Sequence, residues 1–176
     1  MKHKWTYFID ASTTRTGITL LRDDEKKVIV THLNFSNIHQ DRQLNKQDNQ
    51  IIKFREIKKK LDEFTKKYPL TQNIYIEGIF VKPTFLNSSE VLIKFHGFLI
   101  LYFIDYNLNY FAPKSIKKIV TGNGNANKKD VREILETKYR IEFNNDDQSD
   151  AFAVMECWLQ KNEKIIDRKI VEVIYA

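Results

Sequence analysis

Four carboxylates stand out by where they fall. Asp10 closes the aromatic and β-branched run W-T-Y-F-I-D that begins at Trp5, and Glu77 closes a second such run, N-I-Y-I-E, that begins at Asn73. If those two strands are parallel neighbours, both acids emerge at one edge of a sheet. Asp147 and Asp150 stand three apart at the opening of a helical stretch and so share a face. Asp146 sits about 100° further round and falls outside the set. Asp150 is followed by Ala151-Phe152-Ala153-Val154, which places it against an otherwise apolar face. A hard divalent cation takes oxygen ligands and keeps several waters. Four converging carboxylates could hold two such ions about 4 Å apart, one activating water and the other stabilising the leaving oxygen of a phosphodiester. Taken singly, each acid has a plainer reading, as the first solvated residue after a strand or as a first-turn acid favoured by the helix dipole. Taken together, like charges so close are costly without a cation, and a structural role does not account for the whole set.

The elements that must position these acids can be read from periodicity. Trp5 to Asp10, Ile18 to Leu21 and Val28 to Leu33 are three β-rich runs separated by the small-polar turn Ala11 to Gly17 and the polar connection Asp23 to Lys27, and they predict an antiparallel meander. Asn34 to Asp48 reads as a polar loop. From Asn49 to Tyr68 the apolar positions Phe54, Ile57, Leu61 and Phe64 recur at helical spacing, and Pro69 closes that helix. The Asn73 to Glu77 strand follows. Asn87, with Glu90 three residues on, reads as the cap of a broadly apolar helix. Leu108 to Ala112 is a fifth strand, stopped by Pro113. A helical turn from Ser115 to Val120, the Gly- and Asn-rich segment Thr121 to Asn127, a helix from Lys128 to Tyr139 and a last helix from Ser149 to Lys161 complete the pattern. Its order predicts a mixed sheet with helices on both faces. The tail, residues 165–176, fits strand or helix equally.

Composition bounds the answer. At 176 residues the chain fits one domain and excludes two full catalytic ones, while 42% apolar and 12% aromatic residues exclude wholesale disorder. Cys157 is the only cysteine, which excludes an intrachain disulfide and a cysteine-based zinc site and favours a reducing compartment. The basic N-terminus is followed by an apolar stretch that breaks at Asp10, too soon for a signal peptide. The most apolar run, Val91 to Ile104, contains Lys94 and His96 and is shorter than the ~20 residues a bilayer span needs. The expectation is a soluble, cytoplasmic protein. Twenty-nine Lys and Arg against 23 Asp and Glu give a formal charge of +6, compatible with a polyanionic partner. His96, on an apolar helix, reads as a packed or interface residue, and His3 and His32 suggest no role.

Three stretches carry a resemblance. These are Phe111-Ala112-Pro113-Lys114-Ser115-Ile116-Lys117, the run Gly122-Asn123-Gly124-Asn125-Ala126-Asn127-Lys128-Lys129-Asp130-Val131, and Asp147-Gln148-Ser149-Asp150-Ala151-Phe152-Ala153. With the opening Ile9-Asp10-Ala11-Ser12 and Thr16-Gly17, they resemble the RuvC family of Holliday-junction resolvases, in a phage-type form. Ala11 stands where that family more often has glycine or proline. The resemblance implies an α/β, ribonuclease H-like fold. Its sheet would have five strands, the meander of strands 1–3 plus parallel strands 4 and 5, flanked by helices on both faces. Residues 1–176 would form a single RuvC-like nuclease domain, with 165–176 as a C-terminal extension.

The resemblance also implies an activity, that of a magnesium-dependent homodimeric endonuclease making paired symmetric nicks in four-way DNA junctions. Asp10, Glu77, Asp147 and Asp150 fall on the family's metal-binding acids, for two Mg²⁺ ions that Mn²⁺ would replace. Lys117 and Lys128 fall on its functional lysines, with Lys128 placed to stabilise developing negative charge. Lys114, Lys118 and Lys129 would join them in a basic ring around the acidic pocket. Phe80 falls where the family stacks an aromatic on unpaired bases at the crossover. No membrane and no nucleotide cofactor are implied. If the chain is phage-encoded, it would work in the host cytoplasm. Two other readings stand beside this one: a broader nuclease cutting forks, flaps and three-way junctions with the same site, and a non-catalytic junction-binding protein.

Overall fold

The structure is a computed structural model and describes residues 3–39, 41–79 and 86–174, with the side chains of 86–88 left aside. Its elements are β1 (Trp5–Asp10), β2 (Arg15–Arg22), β3 (Val28–Asn34), α1 (Lys46–Lys67), β4 (Leu70–Glu77), α2 (Leu86–Tyr102), β5 (Asn107–Phe111), α3 (Pro113–Thr121), α4 (Lys128–Tyr139), α5 (Asp146–Lys161) and, after a short 3₁₀ turn, β6 (Val171–Val173). The sheet runs β5-β4-β1-β2-β3-β6. β1 to β3 form the expected antiparallel meander, and β4 and β5 extend it in parallel. The sixth strand is a correction to the five expected. Val171–Val173 pairs in parallel with Val28–Val30, so part of the tail is strand.

Strand alternation divides the molecule into two apolar layers. Trp5, Tyr7, Ile9, Ile18, Leu20, Ile74 and Ile76 face α1 and α2, where they meet Ile57, Leu61, Phe95 and Leu99, with Phe103 just past the end of α2. Phe8, Leu21, Val28 and Val30 face the other way, onto Ile116, Val131, Leu135 and the α5 residues Phe152, Ala153, Val154 and Leu159. Ten residues of α5 are buried, which makes it the central helix of this second layer. Among the described residues, no helix is long and apolar enough to cross a membrane.

The helix ends show how the polar segments are used. α1 starts three residues earlier than its apolar period suggested, because Asn45 caps it by accepting from the Asp48 N–H. Asn127 and Asp130 form a reciprocal capping box on α4. Gly122 ends α3 at φ 79°, a left-handed cap that favours glycine. Asn145 is the cap of α5, so Asp146 and Asp147 are its first helical residues rather than its cap.

Candidate active site

β1 and β4 lie side by side with Phe8 opposite Tyr75 and Ile9 opposite Ile76. Asp10 and Glu77 are the next same-face residues after Phe8 and Tyr75, which belong to the α5 layer. Both carboxyls therefore leave the sheet edge on the side where α5 begins. Asp150, in the second turn of α5, meets Glu77 in a cleft of about 240 Å³ lined also by Pro113, Ile116, Lys117, Lys128, Val131 and Ala153. A larger cleft, about 710 Å³, lies at the other end of the sheet beside Lys58, Asp62, Tyr102 and Tyr106, and contains a single acid. The smaller cleft is the one with convergent chemistry.

Close packing holds α5 at this edge. Gly17 pairs with Asp10 across the β1–β2 ladder. A Cβ built on Gly17 would lie 1.8 Å from the Asp147 carbonyl oxygen and 3.1 Å from the Ala151 Cβ, so only glycine lets the first turn of α5 lie on β2 at this point. The tail holds the same turn from the outside. The fully buried Gln148 donates through Nε2 to the Ile174 carbonyl at 3.1 Å, and its Oε1 accepts from the Asn144 N–H at 3.0 Å. The Ile174 N–H in turn donates to the Val30 carbonyl at 2.8 Å.

The electrostatics follow from burying like charges together. Burial pushes Asp10 well above the usual carboxylate range, and the charges of Glu77 and Asp150 push it further, against the pull of Lys128. Glu77 is pushed up to about 6, first by burial and then by Asp150, while Lys128, the hydrogen-bonding Asp10 carboxyl and Lys117 pull it back. Asp150 is raised by burial and opposed by Lys128. Burial by itself would lower the Lys128 ammonium, but its hydrogen bond and ion pair to Asp150, with the fields of Asp10 and Glu77, hold it up. In that pair the Asp150 side chain is only 11% exposed and that of Lys128 61%. Lys128 thus reaches in from solvent to place a cation among the acids.

Asp147 stands slightly apart, with Oδ2 3.4 Å from the Arg15 Nη1. Asp146 points elsewhere, 3.5 Å from the Arg132 Nη1, as its angle on the helix requires. Lys117 lines the cleft, whereas Lys114 and Lys118 are exposed on α3 and Lys129 pairs with Glu133 on α4. Those three are not brought into the cleft wall. Phe80 lies outside the described residues. His96 is buried, its ring 6.3 Å from that of Tyr110, consistent with a packed residue. Arg15, Gln148 and the Ile174 carbonyl were not foreseen, because each acts through a contact distant in sequence. The one available signal was Gly17, a strand-interior glycine after the first acid.

The donor set suits a hard divalent cation: it is all oxygen, partly desolvated, and already neutralised in part by an ammonium standing where positive charge is needed. No three of the four acids bring their oxygens within 4.8 Å of one another. Among the described residues, only His3, Asp23 and Asp24 bring three candidate ligand atoms within 4.8 Å of one another. That exposed trio is engaged otherwise, with Asp23 accepting from His3 and the Lys4 N–H and Asp24 held by both Nε and Nη2 of Arg22.

Fold and site together define an α/β chain of the ribonuclease H-like class with an acid-lined sheet edge. The chain belongs to the RuvC family: residues 7–158 match the family described as crossover junction endodeoxyribonuclease RuvC. The crossover junction endodeoxyribonuclease RuvC of Brachyspira hyodysenteriae is 32% identical over 130 residues, covering 71% of this chain and 77% of that protein. Two solved structures bear on the fold. T. thermophilus RuvC in complex with Holliday junction substrate superposes with a TM-score of 0.63 at 14% identity, covering 88% of this chain and 92% of that one. The yeast mitochondrial Holliday junction resolvase Ydc2 gives 0.56 at 14% identity, covering 89% and 78%.

Proposed function

We propose that this chain is a magnesium-dependent endonuclease that resolves four-way DNA junctions by paired symmetric nicks, leaving 5′-phosphate and 3′-hydroxyl ends. The carrying observation is the meeting of Glu77, Asp150, Lys117 and Lys128 in one cleft at the end of β4, beside Asp10, in a chain of the RuvC family. Asp10, Glu77, Asp147 and Asp150 are the residues that would hold Mg²⁺. Two such ions would supply an activated water and charge stabilisation for the leaving oxygen.

The remaining roles belong to the chain. Burial raises the acids and so makes the cleft accept positive charge readily. Lys128 supplies part of that charge through its pair with Asp150 and would face the negative charge that develops on the phosphodiester. Lys117, which also lines the cleft, and the exposed Lys114, Lys118 and Lys129 contact the flanking backbone, where phosphate contacts make binding salt-sensitive. Phe80 keeps its proposed role in stacking on unpaired bases at the crossover.

Paired nicks need two sites related by a two-fold axis, so the active species is a homodimer. α2 offers a surface for it. Ile93, Ile100 and Leu101 are exposed along the helix and Ile104 just beyond its end, the last two at 70% and 67%, and a Cβ on Gly97 among them would meet nothing within 4 Å. An apolar stripe around a glycine is a face that a second copy would cover. In this reading residues 1–176 act as one nuclease domain working in the cytoplasm.

The test is cleavage in Mg²⁺ of a fixed four-way junction beside a three-way junction, a flap and a linear duplex. Symmetric nicks confined to the four-way junction are expected. Comparable cutting of every branched substrate would replace the proposal with a broader structure-selective nuclease, and no cutting of any would leave a junction-binding protein.

A further inference from the structure

One cation beside the acids has no place in the roles assigned so far. Arg15 opens β2 directly after a turn that is tied across itself, with the Thr16 hydroxyl donating to the Ser12 carbonyl at 2.7 Å and accepting from the Ser12 N–H at 3.2 Å. Its backbone is fixed, but its side chain is 42% exposed and makes one ionic contact, from Nη1 to the Asp147 Oδ2 at 3.4 Å. Its Nε is buried and has no hydrogen-bond partner. The guanidinium therefore carries an unmet donor while it sits on an acid of the proposed metal set. The turn of α5 that carries that acid is fixed by Gly17, Gln148 and the Ile174 carbonyl, so the mobile member of the pair is Arg15.

A divalent cation cannot take Asp147 fully while a guanidinium stands within 3.4 Å of its oxygen, because the two positive charges repel and compete for one acceptor. A phosphate offers that guanidinium two oxygens in a fork geometry and can satisfy the donor that Asp147 leaves unmet. We propose that Arg15 is a positioning residue that holds Asp147 until a divalent cation enters, then releases it and turns to a phosphate of the bound strand. Metal loading and DNA binding are coupled through this exchange. The inference rests on the metal reading given under the proposed function.

The test uses the full chain without DNA, with Mn²⁺ alone as the probe and free Mn²⁺ followed by electron paramagnetic resonance. Arg15→Gln removes the competitor and is expected to bind Mn²⁺ about fivefold more tightly than wild type, the equivalent of the ~1 kcal/mol an exposed ion pair is worth. Arg15→Lys keeps the charge and should stay near wild type. A merely structural role predicts the opposite sign, since loosening Asp147 would weaken Mn²⁺. In Ca²⁺, Arg15→Gln should bind a four-way junction several-fold more weakly. Equal or weaker Mn²⁺ binding by Arg15→Gln overturns the competition, and unchanged junction binding overturns the transfer to phosphate. A wild-type chain that binds no Mn²⁺, or an Asp10→Asn variant that binds it as well as wild type, overturns the metal reading itself.

Discussion

Replacing Gly17 with alanine tests how the acids are held. The added methyl would stand 1.8 Å from the Asp147 carbonyl oxygen, where contacts under 3.0 Å are essentially never seen, so the first turn of α5 has to retreat by about 1.2 Å or more. The obstacle is backbone, which has no rotamer to yield. Overpacking of this kind costs about 1–3 kcal/mol. At this chain length that lowers the melting temperature by roughly 2–4 °C per kcal/mol. The larger effect is on chemistry. Asp10 is on the strand opposite Gly17, and Asp147 and Asp150 are on the displaced helix, so the shift separates one half of the acid set from the other. Misplacement of reacting groups by about 1 Å can cost a hundredfold in rate. Single-turnover cleavage of a four-way junction, measured well below the variant's melting temperature, should therefore fall about a hundredfold. Wild-type cleavage and melting by Gly17→Ala would refute the claim that this contact seats α5.

Lys128→Ala removes the ammonium from Asp150 and should slow single-turnover cleavage by about a hundredfold or more while changing junction affinity in Ca²⁺ much less. A loss confined to binding would make Lys128 a backbone contact only. Glu156 is buried on α5, accepting from the Lys138 Nζ at 2.5 Å, from the Gln160 Nε2 at 2.5 Å and from the Tyr139 hydroxyl. Glu156→Ala strands donors from α4 and should destabilise the fold by about 2 kcal/mol, readable as a lower midpoint in urea with wild-type chemistry at matched folded fraction. Burial lowers the pKa of His96 below its usual value, so the unfolded chain takes up its proton first on acidification and stability falls as pH drops below about 6.5. The difference in stability between pH 7.5 and pH 5 should be smaller in His96→Gln than in wild type. An equal difference would show that His96 does not contribute.

The acids were legible because two strands each end in one and because Asp147 and Asp150 sit three apart on a helix. Their convergence was not, since the parallel pairing of β1 with β4 is made across α1 and depends on long-range packing. The polar stretch Asn34 to Asp48 hid the start of α1, whose first turn is fixed by the Asn45 cap rather than by an apolar period. β6 is three residues long and gains its strand geometry from pairing with β3, so its own residues give too short a pattern to read. Arg15 looked like an ordinary turn residue. Only the folded chain brings it to Asp147, just as only the folded chain shows Gly17 to be the point where helix and sheet backbones meet. Lys117 and Lys128 line the cleft while Lys114, Lys118 and Lys129 stand outside its wall, a distinction that sequence proximity alone does not make.

In the proposed mechanism, the carboxylates at the ends of β1 and β4 and at the start of α5 form the metal site for junction cleavage. Its most direct test compares Asp150→Asn with wild type on a fixed four-way junction, scoring paired nicks in Mg²⁺ and binding in Ca²⁺. Nicking is expected to disappear while the junction is still bound with near wild-type affinity. Nicking by Asp150→Asn at the wild-type rate would contradict it.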